Sequence, residues 1–108
     1  MKTVEFYNDI GWADTGEFYV KEYESHIWVI AEKQWHREDG PAFINNLGTQ
    51  EWWINNERHR IGGPSTTNAF QHMFESGSPN FHINGISYTE QEYWALMPKH
   101  LFDSIMKL

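Results

Sequence analysis

Apolar and polar side chains alternate along most of this chain with the two-residue period of a β-strand. Val4-Glu5-Phe6-Tyr7, Glu17-Phe18-Tyr19-Val20, Ile27-Trp28-Val29-Ile30 and Gln50-Glu51-Trp52-Trp53-Ile54 are rich in β-branched and aromatic residues, the residue types that fit a pleated, half-buried surface. Asn8-Asp9-Ile10-Gly11, Asp14-Thr15-Gly16, Asn46-Leu47-Gly48, Asn55-Asn56 and Asn84-Gly85 punctuate them, and Asn and Gly accept the positive φ angles that tight hairpins require. Side chains two apart share a strand face. Trp28 with Ile30, Trp52 with Ile54, and Phe81 with Ile83 are therefore predicted to line one common core face, leaving Val29, Trp53 and His82 on the other.

The period changes twice. Between Pro64 and Gly77 the stripe Ala69, Phe70, Met73, Phe74, with caps at Thr66 or Thr67, predicts a short helical turn followed by a strand, in competition with a strand end at Met73-Phe74. After Gly85, Thr89-Glu90-Gln91-Glu92 has the form of a capping box, so a helix is expected to start there. Pro98 interrupts it, and Leu101, Phe102, Ile105 and Met106 then recur at amphipathic spacing. Two short C-terminal helices covering the end or one face of the sheet are the expectation.

The chain also repeats itself. His36-Arg37 and Gly40-Pro41-Ala42 return as His59-Arg60 and Gly63-Pro64-Ser65 at an offset of 23 residues, and Gly48 to Asn56 returns as Gly77 to Gly85 at an offset of 29. Repeats at such periods signal stacked supersecondary units. The first copy is one residue longer: Ile30 to His36 spans six steps, Ile54 to His59 five. Its turn, near Ala31-Glu32-Lys33-Gln34, is predicted to be looser or bulged. The fold expected is a single mainly antiparallel β domain over 1–108, a meander of hairpin repeats at 26–88 with N-terminal strands at 1–25 and a helical cap at 89–108.

These residues, from about 26 to 94, resemble small phage and large-virus proteins that carry repeated Trp-x-Ile-Asn-Gly-x-x-His-Arg-x-Asp-Gly-Pro-Ala units, loosely similar to MORN-type hairpin repeats. Trp28, Trp52, Ile54, Asn55, His59, Arg60, Gly63, Pro64, Ile83, Asn84 and Gly85 fit the pattern, as do His36, Arg37, Asp39, Gly40, Pro41 and Ala42. Gly62 stands where Asp is usual, Asn56 where Gly is usual, and Tyr88-Thr89 replaces His-Arg in the last copy. The resemblance implies a phage accessory protein, many of which bind and block a bacterial host protein, including antiviral-defence components.

Composition narrows the functional classes. The net charge of −7, with only eight Lys and Arg, argues against direct nucleic-acid binding, because displacing counterions from a phosphate backbone needs clustered basic residues. There is no Cys, hence no disulfide or thiolate metal site, which suits a reducing cytoplasm. The start lacks a secretory core and no apolar run reaches membrane length, so the cytoplasm of a host bacterium is the expected location.

Catalysis is the weakest class. His36-Arg37 and His59-Arg60 combine a group that moves protons near neutral pH with one that holds phosphate or carboxylate, yet a pair copied from unit to unit more readily fixes the unit's own geometry. The six His show no short chelating spacing, and no phosphate loop or nucleophile elbow occurs, so no metal or cofactor is expected. Trp53, facing away from Trp52, is the leading protein-binding candidate, with Trp12 and Trp35 behind it. The first 25 residues add six carboxylates, including Asp9, Asp14 and Glu17, against two lysines. Such a surface complements a basic partner and speeds encounter with it.

The function expected is thus non-enzymatic: a phage-type protein that binds and inhibits a bacterial host protein, such as a nucleic-acid-binding defence complex, in the manner of an anti-CRISPR. Two alternatives stand beside it. One is a sponge that holds a signalling nucleotide between aromatic rings and Arg37, Arg60, His36 and His59; the other is an acidic mimic of nucleic acid.

Overall fold

The structure, a computed structural model, describes residues 1–67 and 80–106, with residues 100–106 described by backbone alone. The expected helical turn at Ala69 to Phe74 lies outside the described residues. Eleven strands are seen among the described residues: β1 (Lys2–Val4), β2 (Phe18–Val20), β3 (His26–Ile30), β4 (Gln34–Trp35), β5 (Phe43–Ile44), β6 (Gln50–Glu51), β7 (Trp53–Ile54), β8 (Glu57–Arg58), β9 (Thr66–Thr67), β10 (Phe81–Ile83) and β11 (Ile86–Tyr88). One helix, α1 (Glu90–Met106), follows them. The chain is mainly β, with antiparallel sheets and a C-terminal helix.

The larger sheet runs β1-β2-β3-β5-β6-β9, with β4 also paired to β3, while β7–β8 and β10–β11 form two-stranded ladders of their own. β1 and β2 pair in parallel, Lys2 opposite Phe18, a departure from the antiparallel expectation. A parallel pair needs a connection of about a dozen residues, and the segment between the two strands supplies it. Strand structure stops at Val4 rather than running through Tyr7, since Tyr7–Asp9 closes a 3-10 turn capped by Asp9, whose carboxylate accepts the Phe6 N–H at 3.2 Å. Thr66 and Thr67, candidates for helix caps, are instead the residues of β9, paired with Glu51 and Gln50.

The hairpin turns follow the sequence signals. Asn55 and Asn56 have φ of 48° and 64°, and Asn84 and Gly85 of 51° and 80°, as the two central positions of a type I′ turn demand. The longer first copy turns through a 3-10 segment at Ala31–Lys33, in which Glu32 and Lys33 are both left-handed, with φ of 61° and 55°.

The core lies on the face opposite to the one the repeat parity predicts. Ile27 and Val29 of β3 are buried, paired across the ladder with Val20 and Phe18, and Ile10 completes the cluster, with Val4, Tyr7, Trp35 and Phe43 packed around it. Trp28, Ile30, Trp52, Ile54 and Phe81 are half-buried, and of the six predicted core residues only Ile83 is fully buried. Ile10, Phe18, Val20, Ile27 and Val29 pack against one another, whereas the Trp28 and Trp52 indoles are each covered by an arginine of their own unit, as described below. The same parity buries Val29 and His82 on the side expected to be open.

A second cluster seats the helix. Tyr93 and Met97, one turn apart on α1, pack on Ile83, with Ile61, Phe81 and Tyr88 at the margin. The predicted capping box is present: the Thr89 hydroxyl accepts the Glu92 N–H at 3.1 Å, and the Glu92 carboxylate accepts the Thr89 N–H at 3.0 Å. These bonds from Thr89, backbone first, hold the Glu92 carboxyl below its ordinary value. Pro98 does not divide the helix in two. Both Pro98 and Trp94 are exposed, and the helix runs on past the proline to Met106 although Pro98 has no N–H for the Trp94 carbonyl.

Candidate functional site

The duplicated His-Arg block shares its ring and carbonyl contacts between the two copies, and Arg37 alone adds an ion pair with Asp39 at 3.1 Å. The Arg37 guanidinium lies 3.8 Å from the Trp28 ring centroid and donates to the Pro41 carbonyl at 3.1 Å. Arg60 lies 3.8 Å from the Trp52 centroid and donates to the Pro64 carbonyl at 3.0 Å. Gly40 and Gly63 leave room for this, since a Cβ on either would fall within 3.0 Å of the guanidinium carbon. Each indole is thus roofed by the arginine that returns beneath the Gly-Pro corner. Burial draws the Arg60 guanidinium below its ordinary value, against a smaller opposing influence of Tyr93.

The histidines join one copy to the next. His36 Nδ1 accepts the Asn55 N–H at 3.0 Å, and His59 Nδ1 accepts the Asn84 N–H at 2.9 Å. Accepting at Nδ1 places the proton of the neutral ring on Nε2, and that atom of His36 stands 3.7 Å from Glu38. Backbone bonds recur in step: Arg37 N–H reaches the Trp53 carbonyl at 3.0 Å, and Arg60 N–H the His82 carbonyl at 3.1 Å. In the third copy Thr89 replaces the arginine, and the Tyr93 ring of α1 covers Phe81 instead, at 4.8 Å between centroids. The Tyr93 hydroxyl accepts the Gly63 N–H at 3.1 Å and donates to the Arg60 carbonyl. A ligand at Arg37 or Arg60 would have to compete with an indole and a backbone carbonyl for each guanidinium.

A Ser-His pair that sequence reasoning passed over lies between the copies. Ser65 Oγ stands 2.6 Å from His82 Nδ1 and donates to the Asn80 carbonyl at 2.8 Å. With its single proton on Asn80, the hydroxyl accepts from His82. Both residues are buried, and burial, then the nearby Arg58, lowers the His82 pKa. The pair ties Ser65 to β10 and presents no hydroxyl to solvent; its only sequence signal is Ser65 standing where the first copy has Ala42.

The three tryptophans chosen from sequence fall close together. Trp35 stacks on Phe43 at 5.5 Å and receives the Trp53 ring edge-on at 5.4 Å. Trp53 is half-buried, its Nε1–H donating to Glu51 at 3.2 Å and the Arg58 guanidinium 5.4 Å from its ring centroid. Trp12 is 71% exposed. Together with Tyr7, Glu32, Lys33, Gln34 and Asn56, Trp12 and Trp35 line an open cleft of about 580 Å³. The Lys33 ammonium stands 4.9 Å from the Tyr7 centroid and 5.4 Å from that of Trp12. Tyr7 and Lys33 were legible only indirectly, through the extra residue of the first copy.

The acidic candidates divide. Asp9 and Asp14 close local turns on either side of Trp12, Asp14 accepting the Gly11 N–H at 2.7 Å, and Glu22 accepts the Tyr7 N–H at 2.7 Å. Glu17 sits elsewhere, at a smaller cleft of about 290 Å³ shared with Trp28, His36 and Arg37. Among the described residues no three His, Asp or Glu side chains converge as metal ligands, and no helix is long and apolar enough to cross a membrane. Compared with protein-family models, curated proteins and solved structures, the chain gives no match.

Proposed function

We propose that this protein is a non-enzymatic binding protein of phage type, a short array of hairpin repeats whose N-terminal surface docks on and inhibits a bacterial host protein, such as a defence component. The observation that carries the reading is Trp12: a large ring 71% exposed at the mouth of an aromatic cleft, within a segment of six carboxylates and two lysines. Phe6 and Tyr23, edge-to-face at 5.6 Å, expose further aromatic surface in the same segment. A tryptophan ringed by charge is the usual anchor of a protein interface, and the carboxylates favour a basic partner. The His-Arg blocks support the reading from the other side, since their donors and acceptors engage the framework.

Capture from bacterial lysate followed by mass spectrometry tests it. A stoichiometric partner is expected with the intact chain, and Trp12→Ser should weaken its binding by at least about 2 kcal/mol, roughly thirtyfold, the scale of an interface anchor. Recovery of no partner, or full retention by Trp12→Ser, would overturn the proposal.

A further inference from the structure

The first copy of the repeat is one residue longer than the second, and the longer turn lines the cleft. Where the second copy turns through Asn55 and Asn56, residue types that tolerate a left-handed backbone, the first inserts a residue and turns through Glu32 and Lys33, both left-handed. Neither is a residue that favours that conformation, and strain of this kind persists where the surroundings impose it. Here Tyr7 imposes it: its hydroxyl donates to the Lys33 carbonyl at 3.0 Å. The outcome is a half-buried lysine whose ammonium is set over the Tyr7 and Trp12 rings, with no carboxylate within 4.0 Å among the described residues. In a chain of 15 acidic and eight basic residues, a half-buried lysine without an acidic partner is conspicuous.

We infer that this cleft binds a small planar ring carrying an anionic group, the ring stacked on the open side of Trp12 and the anion paired with the Lys33 ammonium. The ring systems of tryptophan accept stacked heterocycles irrespective of their sequence of ring atoms. The two ring faces beside the ammonium hold it at the cleft by cation-π attraction, so an anion entering there meets a positioned positive charge. Gln34 and Asn56 line the same cleft and offer amide donors and acceptors to the edge of a heterocycle. Nucleotides and aromatic carboxylic acids share this chemistry. The inference does not depend on a protein partner, because it concerns Lys33 and the cleft interior.

The test is an NMR titration of the full ¹⁵N-labelled chain with adenosine monophosphate and with indole-3-acetate, beside adenosine, indole and inorganic phosphate. Saturable shifts at residues 12, 33, 35 and 56 are expected with at least one of the two ring-bearing anions. Its neutral counterpart should bind about fivefold more weakly, the scale of one partly exposed ion pair. Tighter binding of adenosine monophosphate marks a nucleotide site, and tighter binding of indole-3-acetate an aromatic-acid site. Lys33→Asn, chosen because Asn accepts the left-handed backbone, should keep the fold and abolish the difference between anion and neutral ring; Trp12→Ser should remove both. The inference is overturned if neither anion saturates, if phosphate alone binds as well, or if folded Lys33→Asn binds like the parent.

Discussion

Gly63→Ala is a one-methyl change whose cost can be worked from the contacts around it. The added Cβ would lie 2.7 Å from Arg60 Cζ, 2.9 Å from Nη1 and 3.0 Å from Nε, closer than a methyl carbon packs against a guanidinium. Gly63 is not among the glycines with positive φ, so alanine carries no backbone penalty there. Arginine tips usually yield cheaply, but this one is held between the Trp52 ring and the Pro64 carbonyl. Moving it forfeits a cation-π contact worth about 0.5–2 kcal/mol and a charged hydrogen bond worth about 1.5–3 kcal/mol. Alanine returns about 0.4–1 kcal/mol by restricting the unfolded chain. A net loss of about 2–3 kcal/mol is expected from urea denaturation followed by tryptophan fluorescence.

A partner experiment isolates the cause. In an Arg60→Ala background the space is empty, so Gly63→Ala should cost nothing or stabilise slightly, giving a coupling energy of about 2–3 kcal/mol between the two sites. Gly40→Ala, whose Cβ would meet Arg37 Cζ at 3.0 Å, should lose less, about 1 kcal/mol. Equal costs for Gly63→Ala with and without Arg60 would refute the roofing of Trp52 by Arg60.

Other expectations follow from the second cluster and from the cleft. Tyr93→Phe removes the acceptor of the buried Gly63 N–H and a donor to Arg60, and should cost about 1–3 kcal/mol in the same denaturation assay, more than Tyr88→Phe. Because the His82 pKa is lowered in the folded state, its contribution to stability is present above the ordinary histidine value and is lost as pH falls from there through the folded value. The urea midpoint should therefore decline in that window, and His82→Asn should flatten the decline; an unchanged slope would reject His82 as its source. His36→Ala should lower stability by about 1 kcal/mol through the lost acceptor for Asn55 while leaving partner capture intact, and a captured partner lost with stability unchanged would contradict a framework role.

Much of the strand layout was legible because turns are written in specific residues: Asn55-Asn56, Asn84-Gly85 and the Thr89-Glu92 box each name the local geometry they adopt. Parity was harder. Sequence alternation shows which residues share a face, but Ile27 with Val29 and Trp28 with Ile30 are both apolar pairs, and the choice between them rests on which pair β2 meets. That depends on a long-range register, Phe18 opposite Val29, carried by no local signal. The helix continues through Pro98 to Met106, with Tyr93 and Met97 seated on the second cluster, a tertiary anchorage that the local sequence does not show. Of the candidate site, Trp12 and Trp35 were named from composition, whereas Tyr7 and Lys33 joined them only through the inserted residue and its left-handed backbone.

The proposed function assigns the repeated His-Arg block to the framework and binding to the N-terminal aromatic and acidic surface. Lysate capture with three chains tests it most directly: the parent, Trp12→Ser with Tyr23→Ser, and Arg37→Gln with Arg60→Gln, the last checked for folding at the temperature of the assay. One stoichiometric partner is expected, lost from the Trp12/Tyr23 chain and retained by the folded arginine chain. Retention by the first and loss from the second would contradict it.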